Sequence, residues 1–168
     1  MANLKILITG PESSGKSTLA TALANSLDGS LVKEQARAYL EDKSGSYVEN
    51  DLLKIAQKQH NAELKASGKI VVCDTGLEVI KIWSEEKYGR CHDWIEERLK
   101  SSQYDLVFLC SPEIPWEPDP LRDNPADRDR LFKLYKNLLA SLSWSFMVLA
   151  GTKQQRHQKA LNLIQTRL

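Results

Sequence analysis

The chain has 168 residues, 42% of them hydrophobic and 27% charged, and a formal net charge of +1. That length suits one domain able to bury a substantial core. The interspersed charges form no basic tract for nucleic acid or a membrane surface, no apolar stretch reaches the length of a membrane span, and no signal peptide is expected before the first strand.

Leu4, Ile6, Leu7 and Ile8 predict a strand buried on both faces, bounded by Gly10. A helix is expected from about Lys16 to Leu27, a turn at Asp28-Gly29-Ser30, and a short strand over Leu31–Glu34 that ends in a carboxylate. Gln35–Leu40 reads as helical and Asp42–Ser46 as a polar loop. Leu52, Leu53, Ile55, Ala56 and Leu64 give Glu49–Ala66 the spacing of an amphipathic helix, stopped by Ser67-Gly68. Ile70–Cys73 is a second buried strand closing on Asp74-Thr75-Gly76. Helices over Leu77–Tyr88 and Cys91–Ser101 and a strand over Leu106–Cys110 follow. Ser111 to Pro125 carries five prolines and is expected to be irregular. A helix over Asp127–Leu142, a strand over Phe146–Leu149, a turn at Gly151 and a helix over Gln154–Leu168 complete the chain. Strands alternating with helices predict an α/β fold, a parallel five-stranded sheet with helices on both faces, as one domain over 1–168. Ligands of such sheets sit beyond the carboxyl ends of the strands. Glu34, Asp74, the proline-rich segment and Gly151 are therefore expected to converge there.

Gly10, Gly15, Lys16 and Ser17 fit G-x-x-x-x-G-K-[ST] between a strand and a helix, the context that a phosphate-binding loop requires. Glycines let the backbone curl so that several N–H groups face one anion, and the helix dipole adds to the same point. Gly10, Glu12, Ser13, Ser14, Gly15, Lys16, Ser17 and Thr18 are thus the expected ATP-binding residues. Lys16 would reach the β- and γ-phosphates and Ser17 would meet Mg²⁺.

Asp74 closes an apolar strand, the Walker B arrangement. It suits either Mg²⁺ or the proton of an attacking hydroxyl, and an Asp in that place also serves as a helix N-cap. Glu34 and Arg37, one helical turn apart, suit a substrate hydroxyl and a phosphate, or else form a local ion pair. Spacing leaves open which of Glu34 and Asp74 is the general base. Arg122, Arg128 and Arg130 can close over a triphosphate as a lid; a solvated loop entering a charged helix is the alternative. Trp83 and Trp116 suit stacking on a base or ordinary packing. His60, His92 and His157 lack metal spacing, and Gly151-Thr152-Lys153 is a candidate border of the adenine. Cys73, Cys91 and Cys110 are odd in number and match no zinc pattern, which favours a reduced, cytoplasmic protein.

Taken together, GPESSGKSTL, Glu34 to Leu40, Ile55 to Gln59, Asp74-Thr75, and Pro115-Trp116 with Asp119, Leu121, Arg122 and Asp123 resemble the ribosylnicotinamide kinase domain of the NadR type. This is an AAA-like P-loop group, and the resemblance spans Ile6 to the closing helix. It implies transfer of the γ-phosphate of ATP to the 5′-hydroxyl of nicotinamide riboside, giving nicotinamide mononucleotide. On this resemblance Lys16, Asp74, Glu34, Arg122 and Arg128 serve catalysis, and Ser17 and Asp74 hold Mg²⁺. Glu34, Arg37, Gln59, Trp116 and Asp119 face the nucleoside. The family often has an acidic residue where this chain has Gly76, so a ribose contact is expected to be missing. The adenylyltransferase and DNA-binding parts of bifunctional members are expected to be absent. A kinase for another nucleoside or small metabolite, and a regulatory ATPase without such an acceptor, are the alternative readings. Oligomeric state is not encoded in any recognisable pattern.

Overall fold

The computed structural model describes residues 3–115 and 126–168. Its elements in order are β1 (Leu4–Thr9), α1 (Lys16–Ser26), β2 (Ser30–Val32), α2 (Gln35–Asp42), α3 (Glu49–Lys65), β3 (Ile70–Asp74), α4 (Leu77–Tyr88), α5 (Asp93–Ser101), β4 (Leu106–Cys110), α6 (Arg128–Ser141), β5 (Met147–Leu149) and α7 (Lys153–Gln165). The strands form one parallel sheet in the order β2-β3-β1-β4-β5. This is the five-stranded sheet expected from the apolar runs. β1 is its centre, and the chain crosses from β3 on one side of it to β4 on the other.

The two-residue period of β1 sorts its side chains onto both faces. Ile6 and Ile8 pack with Val72 and Phe108 against Leu19 and Leu23 of α1 and Ala160 and Ile164 of α7. Leu7 faces the other way, with Val71, Val107 and Leu109, against Ile82 of α4 and Leu131, Tyr135 and Leu139 of α6. Removing each such aliphatic side chain from water is worth about 1.5–3 kcal/mol, which is why no strand needs a polar face. A third cluster joins α2, α3, α4 and α5 through Leu40, Leu52, Ile55, Leu77, Ile80, Ile95 and Leu99. Asp51 anchors its edge, accepting from Tyr39 Oη at 2.6 Å, Lys43 Nζ at 2.9 Å and the Val48 N–H at 2.9 Å. Those donors hold its carboxyl far below the usual range.

Several boundaries differ from expectation for local reasons. β2 stops at Val32, opposite Cys73. The Gln35 N–H then turns to Gln59 Oε1 at 3.0 Å instead of continuing a ladder, so Glu34 becomes the N-cap residue of α2. α2 continues to Asp42, into the stretch expected to be loop. α5 begins at Asp93, not Cys91, because His92 Nδ1 accepts the Trp94 N–H at 3.1 Å and caps it. Thr152 and Gln155 form a reciprocal capping box, at 3.1 and 2.9 Å, that starts α7 at Lys153. β5 excludes Phe146. Among the described residues no helix is long and apolar enough to cross a membrane.

Candidate active site

The loop after β1 carries two positions that tolerate glycine alone. Gly10 has φ +142°, and a Cβ there would stand 2.7 Å from the Cys110 carbonyl oxygen. Gly15, at φ +80°, is the left-handed N-cap of α1, with Ile114 Cδ1 2.8 Å from the place of a Cβ. Between them, carbonyls are captured by side chains. Pro11 O accepts from Ser14 Oγ at 2.7 Å and Lys16 Nζ at 2.8 Å. Ser13 O accepts from Arg128 Nη1 at 3.1 Å, and Ser14 O from Arg156 Nη1 at 3.1 Å. In a trans peptide the C=O and the following N–H point oppositely, so the Gly15 N–H turns away from Arg156. The result is an anion nest at the N-terminus of α1, where the helix dipole also favours negative charge.

Beneath this loop β1 and β3 run in register, with Ile8 beside Asp74. The Ser17 hydroxyl lies beside the Asp74 carboxylate. Burial pushes that carboxyl above its ordinary range, opposed by Ser17, Lys16 and Arg37, and its Oδ1 is buried without a hydrogen-bond partner. An unsatisfied buried carboxylate oxygen next to a hydroxyl is a hard-oxygen donor set, the chemistry that suits Mg²⁺ completed by phosphate oxygens and water.

From the nest a single cleft runs outward. Its lining includes Glu12 to Thr18, Glu34 and Arg37 of α2, Trp83 and Glu86 of α4, Tyr135 of α6, and Lys153. The structure therefore brings together the loop residues, Glu34 and Arg37, with Asp74 below the floor. Arg37 approaches Glu41 at 3.9 Å. Arg128 also donates to Ile114 O at 2.6 Å, so this arginine does stand at the phosphate loop. Arg130 does not: it is ion-paired with Asp127 and with Glu86 across to α4. Gln59 is not brought to the cleft. It is buried, its Oε1 accepting from Gln35 and its Nε2 donating to Thr75 O at 3.2 Å, so its amide braces the backbone. Trp116, Asp119 and Arg122 lie outside the described residues. Trp83 Nε1 donates to Tyr47 Oη, which fixes the indole in the cleft wall. Sequence reasoning missed Glu86, Tyr135 and Ile114, which read as ordinary helix and loop residues, and Arg156.

A family model described as "AAA domain" matches residues 5–156. The chain belongs to the AAA domain family. This AAA domain is also 29% identical over 144 residues to the trifunctional NAD biosynthesis/regulator protein NadR of Salmonella typhimurium, a match covering 82% of the chain. The chain spans about a third of that relative, 35% of its length. Among solved structures it resembles a NadR protein in complex with NAD and AMP-PNP, with TM-score 0.78, 19% identity, and coverage of 98% of this chain and 49% of the other. A NadR protein in complex with NR gives TM-score 0.72, 20% identity and coverage of 98% and 51%. Deoxyadenosine kinase from M. mycoides gives 0.73, 15% identity and coverage of 97% and 100%. These likenesses show a shared fold, the α/β arrangement about a parallel five-stranded sheet that the sequence implied.

Two further features of this AAA domain bear on the turn after Asp74. A Cβ on Gly76 would stand 2.5 Å from Tyr104 Oη and 2.6 Å from Glu78 Oε2. A side chain there points into the protein, so Gly76 removes no contact from the cleft, contrary to the expectation of a lost ribose contact. Gly76→Ala is expected to destabilise the fold by about 1–3 kcal/mol, read from the denaturant midpoint at constant slope.

Glu78 itself is fully buried; its Oε1 accepts the Gly76 N–H at 3.0 Å, with the Thr9 hydroxyl beside it. Glu63 stands nearby, ion-paired to Lys5 at 2.6 Å and accepting from Tyr104 Oη at 3.0 Å. Burial raises the Glu78 carboxyl from 4.5 to about 7. Because the folded state holds this proton more tightly than the unfolded chain, the associated stability is fully present below pH 4.5 and is lost as pH rises through about 7. Glu78→Gln is expected to flatten the melting temperature between those values, measured against the wild type in the same buffers.

Proposed function

We propose that this AAA domain, as one unit over 1–168, is a kinase that transfers the γ-phosphoryl group of ATP to the 5′-hydroxyl of nicotinamide riboside, yielding nicotinamide mononucleotide and ADP. The observation that carries this reading is the continuity of the cleft: the anion nest, Lys16, Glu34, Arg37 and the Trp83 wall line one cavity. A phosphate donor and a planar-base acceptor thereby meet within one site. The likeness to NadR, which one solved structure holds in complex with NR, supports this acceptor over other nucleosides.

The loop amides and Lys16 bind and orient the triphosphate, leaving little covalent work for the protein. Ser17 and Asp74 would hold Mg²⁺, which when bound neutralises charge on the transferring group. Glu34 faces the cleft whereas Asp74 lies beneath Ser17, so Glu34 is the better placed to take the proton of the attacking hydroxyl. As the oxygen–phosphorus bond to the acceptor forms, the bond from the γ-phosphorus to ADP breaks. Arg128, whose Nη1 donates to the Ser13 and Ile114 carbonyls beside the loop, is assigned to a lid that would offset the spreading negative charge. Arg122 is assigned to the same lid, with Trp116 and Asp119 on the acceptor side. A cytoplasmic setting fits the free thiols of Cys73, Cys91 and Cys110.

The test is ADP release from ATP and Mg²⁺ with and without nicotinamide riboside, with product identification. Acceptor-dependent ADP and nicotinamide mononucleotide are expected. Equal turnover with other nucleosides would replace the acceptor, and a slow rate indifferent to every acceptor would favour a regulatory ATPase.

A further inference from the structure

Arg156, in the first half of α7, is the largest fully buried side chain among the described residues, only 2% exposed. Its Nε donates to Gly151 O at 2.9 Å, and its Nη1 donates to Ser111 O at 2.9 Å and Ser14 O at 3.1 Å. These carbonyls follow β5, β4 and β1, so one guanidinium fork ties together three strand ends. Among the described residues its Nη2 is buried without a hydrogen-bond partner, and the Cys110 thiol lies beside the guanidinium. Among the described residues Arg156 forms no salt bridge; backbone carbonyls receive its N–H groups, and the Glu113 carboxylate lies near enough to be lowered by its charge. A buried cation with no direct ion pair is costly. Here it lies on the protein side of a loop whose ligand would be a polyanion. By drawing the Ser14 carbonyl inward, it turns the Gly15 N–H outward, toward the cleft.

We propose that Arg156 is a positioning residue for the triphosphate. It acts through the Ser14 carbonyl to hold the loop in its anion-receiving shape, and it locks the Gly151 turn to the same frame. Its charge contributes to the potential beneath the phosphates without touching them. Glu113 steadies that turn from the other side, accepting the Gly151 N–H at 2.9 Å. The inference rests on the phosphate-loop reading above and adds to it a residue distant in sequence.

The experiment measures binding of ATP and of inorganic tripolyphosphate by calorimetry to the wild type, R156M and R156K, with the acceptor KM and the melting temperature in parallel. R156M is expected to weaken both ligands tenfold or more while the acceptor KM stays within twofold. R156K keeps the charge but cannot span three carbonyls, so it is expected to weaken tripolyphosphate threefold or more. A folded R156M with a lowered melting temperature but wild-type tripolyphosphate affinity would make Arg156 a structural staple and overturn the proposal. If R156M does not fold, unchanged affinity in R156K overturns it equally. A wild type that binds neither ligand would refute the phosphate-loop reading itself, a different failure.

Discussion

Lys16→Ala is expected to lower phosphoryl transfer by roughly a hundredfold or more, with the melting temperature within a few degrees of the wild type. The side chain lines the cleft, donates to the Pro11 carbonyl of its own loop at 2.8 Å, and lies near enough to Asp74 to favour its carboxylate. Its loss removes no packing between elements. What disappears is a positive charge in the path of the β- and γ-phosphates, where developing negative charge is poorly screened. Turnover near the wild-type level in a folded Lys16→Ala protein would remove the phosphate-loop assignment altogether.

Asp74→Asn is expected to separate stability from activity. Asp74 is buried, has an unpartnered oxygen, and has its carboxyl pushed upward by desolvation, so above that raised value the charged form costs stability. The sign follows from linkage: the folded state favours the protonated acid, and stability falls as pH rises through the folded value. An amide of the same shape keeps an acceptor for Ser17 and carries no charge. The variant should melt at or above the wild-type temperature at neutral pH, a gain of about 0.5–2 kcal/mol. Its turnover should fall by roughly a hundredfold or more, because a neutral oxygen is a poor Mg²⁺ ligand. Activity partly rescued by raised Mg²⁺ would locate the defect in metal affinity. A variant that is both destabilised and active would refute the metal role.

The parts of this molecule that were legible in the sequence are those in which residue type dictates backbone or burial directly. Apolar runs such as Ile6–Ile8 and Ile70–Cys73 have no other comfortable place than a sheet covered on both faces. Gly10 and Gly15 mark positions that exclude a Cβ, so the loop could be placed from its spacing. Glu34 was legible as a cleft carboxylate, although a side-chain amide from α3, and not a longer strand, puts it there. Gln59 and Gly76 were misread for one reason: a resemblance transfers residue types, whereas their roles are set by partners distant in the chain. Gln59 spends its amide on Gln35 and Thr75, and the space beside Gly76 is already filled by Tyr104 and Glu78. Arg156 had no signal at all. It sits in a polar run, Gln154-Gln155-Arg156-His157-Gln158, and only docking of α7 on α1 reveals that this one member is buried.

Ser14 and Arg156 are separated by 142 positions in the chain, yet they share a hydrogen bond. The motif and the finished site are therefore different objects in time. A chain that had paired β1 with β3 and laid α1 on them before α7 docked would possess every glycine of the loop but not its fixed carbonyl. Such long-range closure comes late because its loop entropy must be met first. Nucleotide then discriminates complete molecules from nearly complete ones and stabilises the former by mass action. ATP added during refolding should leave the early phases untouched and slow only the undocking of the last helix, so that ligand occupancy serves as a molecular seal on a finished fold.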